Sequence, residues 1–385
     1  MHNIKYINGY EDQYVLYSGV TLDNQYAIFT VSRNYDEDFS FESGFQAGIL
    51  KYDYINETSE YFAYEPQVYL ESKTSAQNSI YFAYITWVDQ LAEISIHQLD
   101  CRDMSARKVY SLQLEDILVG DVKSGLWSIQ MFGISDRYLV VGIPKLPYPA
   151  KGDGSRYTHH LLIDIEQQTQ TIIPDRLGDN DRLIYMDSIE VVNPNHGAQL
   201  VIRTSNTSSE IAFQSLAVIA FNTFIDLVHT QQPIDESYII TQTDPLNGFI
   251  GLSLLNPGMV GAYKHCFPDH RSEVVLYDVD TKQRTEIKLR NRFEKMFIEY
   301  PEVLGLKKTD STHDLYDTSN GQRLFTTYME RTLRFANSSY ALTQKFSTGH
   351  VLLHDIRTKA ILAEYIGNCT SFHYIPEQKL LILVP

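Results

Sequence analysis

Short apolar runs alternate with polar turns along the whole chain, and in its last third they repeat. Val274-Val275-Leu276-Tyr277-Asp278, Thr312-His313-Asp314-Leu315-Tyr316-Asp317 and Val351-Leu352-Leu353-His354-Asp355 are each an apolar strand closing on an aromatic residue or His and then Asp. A turn follows each: Val279-Asp280-Thr281, Thr318-Ser319-Asn320-Gly321 and Ile356-Arg357-Thr358. The closing residues Asp278, Asp317 and Asp355 lie 39 and 38 residues apart. That spacing is the period of a small antiparallel sheet repeated around an axis. Apolar runs of strand length between regular turn signals predict an all-β chain.

The segment from Thr332 to Gly367 shows the repeat most clearly. Its predicted strands A to D are Leu333–Ala336, Tyr340–Thr343, Val351–Asp355 and Ile361–Tyr365, with turns Asn337-Ser338-Ser339 and Arg357-Thr358-Lys359. The same order, with longer joints, fits units beginning near Tyr14, Val68, Trp127, Tyr185, Phe249 and Met296. The fourth of these takes Leu216–Phe221 as strand C. Two further strands, Ser371–Tyr374 and Leu380–Val384, then look like the start of an unfinished unit. Something must cover the apolar edge of Leu380–Val384. The amino-terminal strand, residues 3–7, is the predicted partner for residues 371–384. The expectation is a single β-propeller domain over residues 1–385, built of four-stranded antiparallel blades. Counting A strands makes eight blades; a different parse of the irregular segment Asn206–Pro245 makes seven.

Val351 to Pro385 resembles a WD-type repeat. His354-Asp355 stands where that family has Trp-Asp, Arg357-Thr358-Lys359 where it has a turn, and Phe372-His373-Tyr374-Ile375-Pro376-Glu377 where an apolar run precedes Pro-Asp. The likeness covers the last third well and the rest in outline. The Gly-His dipeptide is missing, with Gly367-Asn368 in its place, and no Trp-Asp occurs. The resemblance implies the fold and transfers no functional residue.

Composition narrows the partners. With 48 acidic against 32 basic residues the formal charge is −16, which repels phosphate backbones and argues against nucleic acid. No apolar stretch approaches the roughly 18 residues of a membrane span, and Met1-His2-Asn3-Ile4-Lys5-Tyr6 lacks a signal peptide's apolar region. Cys101, Cys266 and Cys369 are far apart and form no C-x-x-C pair, so they read as free thiols in a reducing compartment. A cytoplasmic protein without membrane contact is expected.

Candidate chemistry sits in three joints between strands B and C: Arg33 to Gln46, Pro144 to Thr158, and Phe267 to Ser272 with Lys264 and His265 beside it. Strand direction alternates, so every B–C and D–A joint emerges on one face of the ring, and loops on a rigid scaffold are the usual carriers of function. The candidate binding residues are Arg33, Tyr35 and Asp38 in the first; Tyr148, Lys151, Arg156, Tyr157 and His159 in the second; and Lys264, His265, His270 and Arg271 in the third. No H-x-H or H-E-x-x-H spacing occurs, so no metal site is assigned. No catalytic residue or cofactor is assigned either, for Lys151-Gly152-Asp153-Gly154-Ser155 lacks the phosphate-loop signature and no G-x-S-x-G elbow appears. The Asps at 164, 278, 317 and 355 recur at one place per unit, which marks them as turn caps.

Two functions fit. One is a module that grips a protein or peptide on the loop-bearing face, since Tyr and Arg dominate interface hot spots. The other is an enzyme (a hydrolase, lyase or isomerase) acting on a small molecule at the central channel of that face, with a metal or a His/Asp acid–base pair.

Overall fold

The computed structural model describes residues 3–8, 10, 13–33, 48–64, 68–71, 78–88, 91–114, 130–144, 158–174, 185–192, 197–205, 214–243, 248–255, 259–266, 271–289, 293–300, 303–308, 312–317, 322–327, 331–345, 347–367, 369, 371–375 and 378–384. Among them, seven sheets have four strands in sequence order, and an eighth has three, ordered Ser371–Ile375, Leu380–Val384, Asn3–Tyr6. First strands of neighbouring sheets touch: Val68–Glu71 meets Gln130–Gly133, which meets Tyr185–Val192, and Gly248–Leu255 meets Phe293–Tyr300, which meets Arg331–Ala336. Gln13–Leu22 of the first sheet touches Ser371–Ile375 of the last. The A strands therefore surround a common axis and the D strands form the rim. This is an eight-bladed β-propeller.

Blade stacking explains the hydrophobic pattern. Strands B and C are covered on both faces by adjacent blades, so they read as continuous apolar runs instead of alternating ones. Gly48–Asp53 and Leu380–Val384 are buried at every position. The rim strand Thr58–Ala63 is exposed at all but one position, and its first three residues are polar. Each core layer lies between two blades. Tyr81, Ala83, Ile94 and Ile96 of the second pack on Leu139, Val141, Leu161 and Ile163 of the third. Each such aliphatic side chain contributes about 1.5–3 kcal/mol of burial, and the interleaving joins each blade to its neighbours.

The seam between first and last blades is built from both ends of the chain. Asn3–Tyr6 runs parallel to Leu380–Val384 in the register Asn3↔Leu380 to Tyr6↔Leu383. The Ile7 N–H donates to the Leu383 carbonyl at 2.9 Å. Lys5 pairs with Glu57 of the first blade, and Gln378 Nε2 donates to the Asn24 carbonyl and the Tyr54 hydroxyl, each at 3.1 Å. Beneath these contacts Ile7, Val15, Phe29 and Leu50 pack on Ile375, Leu380 and Ile382.

Within the irregular segment, the described residues 214–243 depart from strand grammar. Strand C of the fourth blade is Gln214–Ala220, and a helix, Phe221–His229, follows before strand D at Ile239–Gln242. Phe224, Ile225 and Val228 are its buried face. They join a cluster holding Phe132 and Leu162 of the third blade and Ile189 and Leu200 of the fourth. Gln231 Nε2 just beyond it donates to the Ile172 carbonyl at 2.9 Å, so this insertion covers the seam between those blades.

Candidate functional site

Each four-stranded sheet runs A–B–C–D with antiparallel neighbours, so A–B and C–D joints emerge on one face and B–C and D–A joints on the other. Strand ends locate the B–C joints. In the first blade strand B ends at Arg33 and strand C begins at Gly48; in the third the bounds are Pro144 and Thr158. Tyr35, Asp38, Tyr148, Lys151, Arg156 and Tyr157 lie between these bounds, outside the described residues, as does His270. Backbone pairing places Arg33 opposite Gln13, and His159 opposite Ile143.

The fifth blade differs from expectation. Its strands run Met259–Cys266 and Arg271–Asp278, leaving only residues 267–270 as the joint. Lys264, His265 and Arg271 are therefore strand residues, opposite Glu273, Ser272 and Cys266. The hairpin continues this far because opposite charges face each other across it, with Lys264 Nζ 3.9 Å from Glu273 Oε2. The fourth blade supplies a longer joint than the fifth, between Ser205 and Gln214. Its run of Ser, Thr and Asn (Asn206-Thr207-Ser208-Ser209) was the signal available in the sequence.

A charged cluster on the same face was not foreseen. Arg331 opens strand A of the seventh blade, at the D–A end, and is buried. Its Nη1 donates to the His350 carbonyl at 3.2 Å and its Nη2 lies 3.1 Å from His350 Nδ1. His350 Nε2 in turn lies 2.8 Å from Glu364 Oε1. With Nδ1 facing a guanidinium that can only donate, Nδ1 is the acceptor nitrogen of the ring. Burial pushes the Arg331 guanidinium down, and Glu364 acts the other way. The cluster ties strand A to the entry of strand C, a positioning task, and it offers no nucleophile.

Among the described residues no group of three or more His, Cys, Asp and Glu could hold a metal ion. Cys101 and Cys369 are buried and form no disulfide. Burial, reinforced by Asp100, pushes the Cys101 thiol up to about 12, so it is unreactive at neutral pH. No described helix is long and apolar enough to cross a membrane. On the opposite face, bearing A–B and C–D turns, a cavity of about 250 Å³ opens between the sixth and seventh blades.

No protein-family model matches the sequence, and no curated protein matches it. Solved structures do resemble the fold. The Dos1 propeller superposes with a TM-score of 0.50 at 11% identity, over 98% of this chain and 90% of that one. The fold is a propeller by likeness as well as by topology. Dipeptidyl peptidase 4 of Porphyromonas gingivalis gives a TM-score of 0.52 at 12% identity, over 91% of this chain and 52% of that chain, so this chain spans about half its length. At such identities the likeness is one of fold alone.

Proposed function

We propose that this chain is a cytoplasmic binding propeller that grips a protein or peptide on the face carrying its B–C joints. The observation behind this reading is that the first and third blades interrupt strands buried in the ring, after Arg33 and after Pro144, with long joints on one face. Those joints hold Tyr35, Asp38, Tyr148, Lys151, Arg156 and Tyr157, a Tyr- and Arg-rich set of the kind that supplies interface anchors. Arg33, His159, Lys264, His265, His270 and Arg271 complete the surface in this reading. The last blades count as WD-repeat-like: His354 Nε2 is 3.1 Å from Thr343 Oγ1 inside the seventh blade, and Asp355 caps its turn. The chain acts as one ring over residues 1–385, closed by residues 3–7 against 371–384.

The second reading, an enzyme of the hydrolase, lyase or isomerase type, rests on the imidazoles and carboxylates (His265, His270, Asp38) assigned to the same face. One preparation separates the two. Protein purified without chelator should carry less than stoichiometric metal by elemental analysis and bring down a defined partner. The combined change Tyr148→Ala, Arg156→Ala and Tyr157→Ala should weaken that partner's binding at least about tenfold, with the melting temperature unchanged. Stoichiometric metal together with undiminished partner binding would replace the first reading by the second.

A further inference from the structure

Among the described residues the eighth blade stops one strand short. The other seven blades each carry four strands, whereas this one ends at Asn3–Tyr6 with no described rim strand beyond it. Successive residues of a strand turn their peptide groups to opposite sides, so only alternate residues bond a parallel neighbour. The Asn3 N–H donates to the Lys379 carbonyl and the Ile7 N–H to the Leu383 carbonyl, both at 2.9 Å. Asn3, Lys5 and Ile7 therefore face inward with their peptide groups, and Ile4 and Tyr6 face outward. Among the described residues that outer edge meets only the Tyr52 hydroxyl, 3.5 Å from the Tyr6 carbonyl. An edge of this kind is a template for a further strand.

The flanks of this edge are apolar. Seven large apolar side chains are exposed among the described residues, and six of them lie on the seventh, eighth and first blades: Tyr6, Ile55, Tyr61, Ile361, Leu362 and Ile366. Ile366 is 79% exposed and follows directly on the seventh blade's rim strand, Ile361–Tyr365. Tyr6 leans toward that blade, its ring 5.8 Å from that of Tyr365. On the other side Tyr61, in the first blade's rim strand, lies 6.2 Å from the ring of Tyr10, which packs on the seam cluster. Exposed apolar side chains scattered singly need no explanation, but their concentration around one open strand edge marks an interaction site.

We propose that a protein partner adds an extended segment to Asn3–Tyr6 as the missing fourth strand of the eighth blade. The open peptide groups of Ile4 and Tyr6 require an extended backbone. Apolar walls on both sides ask for aliphatic or aromatic residues at successive positions of the incoming strand. A second copy of this chain fits poorly. The antiparallel register that pairs the outward groups of Ile4 and Tyr6 in two copies sets Lys5 opposite its own counterpart, and like charges directly opposite each other are destabilising. The formal charge of −16 favours a partner segment flanked by basic residues instead. This site is on the rim and not on the face of the B–C joints, so it stands or falls separately from the partner-binding reading.

Fluorescence anisotropy on the full chain tests it, using a labelled peptide of two valine–tyrosine pairs between flanking lysines, and the same peptide N-methylated at every core nitrogen. The unmodified peptide should bind at one site, and the N-methylated one at least about tenfold more weakly. Hydrogen exchange should slow at the Ile4 and Tyr6 amides in the complex. Tyr6→Pro removes an outward N–H and leaves the inward bonds of Asn3, Lys5 and Ile7, as an edge strand tolerates; it should cost about tenfold in affinity. Ile366→Lys changes an exposed wall residue and should weaken binding by a similar factor with the melting temperature unchanged. Ile172→Lys, on the rim of the complete third blade, should leave binding as it was. No binding, equal affinity for the N-methylated peptide, or protection confined to other strands would overturn the proposal. A dimer of the unliganded chain that Tyr6→Pro dissociates in sedimentation equilibrium would overturn it too, assigning the edge to a second copy.

Discussion

Asp53, Asp164, Asp278 and Asp355 hold the same post at the end of strand C. Each accepts the backbone N–H groups two and three residues ahead: those of Ile55 and Asn56, Glu166 and Gln167, Asp280 and Thr281, and Arg357 and Thr358, at 2.7 to 3.1 Å. Donation to the ionised carboxylate lowers its pKa. The Thr281 and Thr358 N–H groups are the main cause at Asp278 and Asp355, while at Asp53 several donors together outweigh burial. Asp164 is the special case, because Arg137 is the main cause: Nε lies 3.1 Å from both carboxylate oxygens and Nη2 2.7 Å from Oδ2. A carboxylate depressed in the folded state stabilises it above the unfolded value of about 3.9 and loses that contribution as pH falls through the lower folded value. Asp164→Asn should thus lower stability by about 1 kcal/mol at neutral pH, Arg137 being partly open to water. The gap to the unsubstituted protein should begin to narrow below pH about 4 and close as pH falls through the lower folded value. Urea titrations at both pH values measure it; a gap that persists in acid would assign the loss to packing.

The C–D turn as a whole has a second rule. The residue four beyond each closing Asp has left-handed backbone: Glu57 at φ 56°, Met104 at 56°, Gln168 at 53°, Lys282 at 58° and Lys359 at 61°. A side chain there is strained, and the sixth blade carries Gly321 at this offset in sequence. Lys359→Gly keeps the Lys359 N–H bond to the Asp355 carbonyl (2.8 Å), and should raise stability by about 0.5–1 kcal/mol once glycine's extra unfolded freedom is subtracted. A denaturant midpoint that moves down would refute the strain. Such turns also explain what the sequence discloses. Val351–Asp355, Ile361–Tyr365 and Leu380–Val384 are found at the predicted residues because an Asp-closed turn or a polar turn bounds each. The helix escaped because its apolar residues 221, 224, 225 and 228, spaced for one helical face, follow directly on the strand Gln214–Ala220. The fifth-blade joint was read too long because cross-strand pairing, which carries Lys264 and Arg271 outward, leaves no mark in local composition. The Arg331–His350–Glu364 cluster joins residues of strands A and D and of the joint before strand C, a convergence no local pattern encodes.

For the whole molecule, the ring depends on where its two ends meet. Every other blade is one continuous stretch of chain, whereas the eighth takes its outer strand, Asn3–Tyr6, from the opposite end. That strand satisfies the backbone edge of Leu380–Val384, and its neighbour Ile7 is buried against Val15, Phe29 and Ile382 of the flanking blades. Ile4 packs on the cluster of Leu381 and Leu383. Removing residues 1–8 therefore exposes two isoleucine sites and an apolar strand edge, a loss of about 3–6 kcal/mol from burial alone. Because each blade leans on its neighbours, loosening one seam should lower the melting temperature of the entire ring in one transition. The freed edge should also promote self-association, visible by size-exclusion chromatography. Supplying a peptide of residues 1–10 in trans should restore part of the lost stability, which distinguishes an open seam from a general folding failure. A truncated chain that melts at the temperature of the full one would show that closure through this strand contributes nothing.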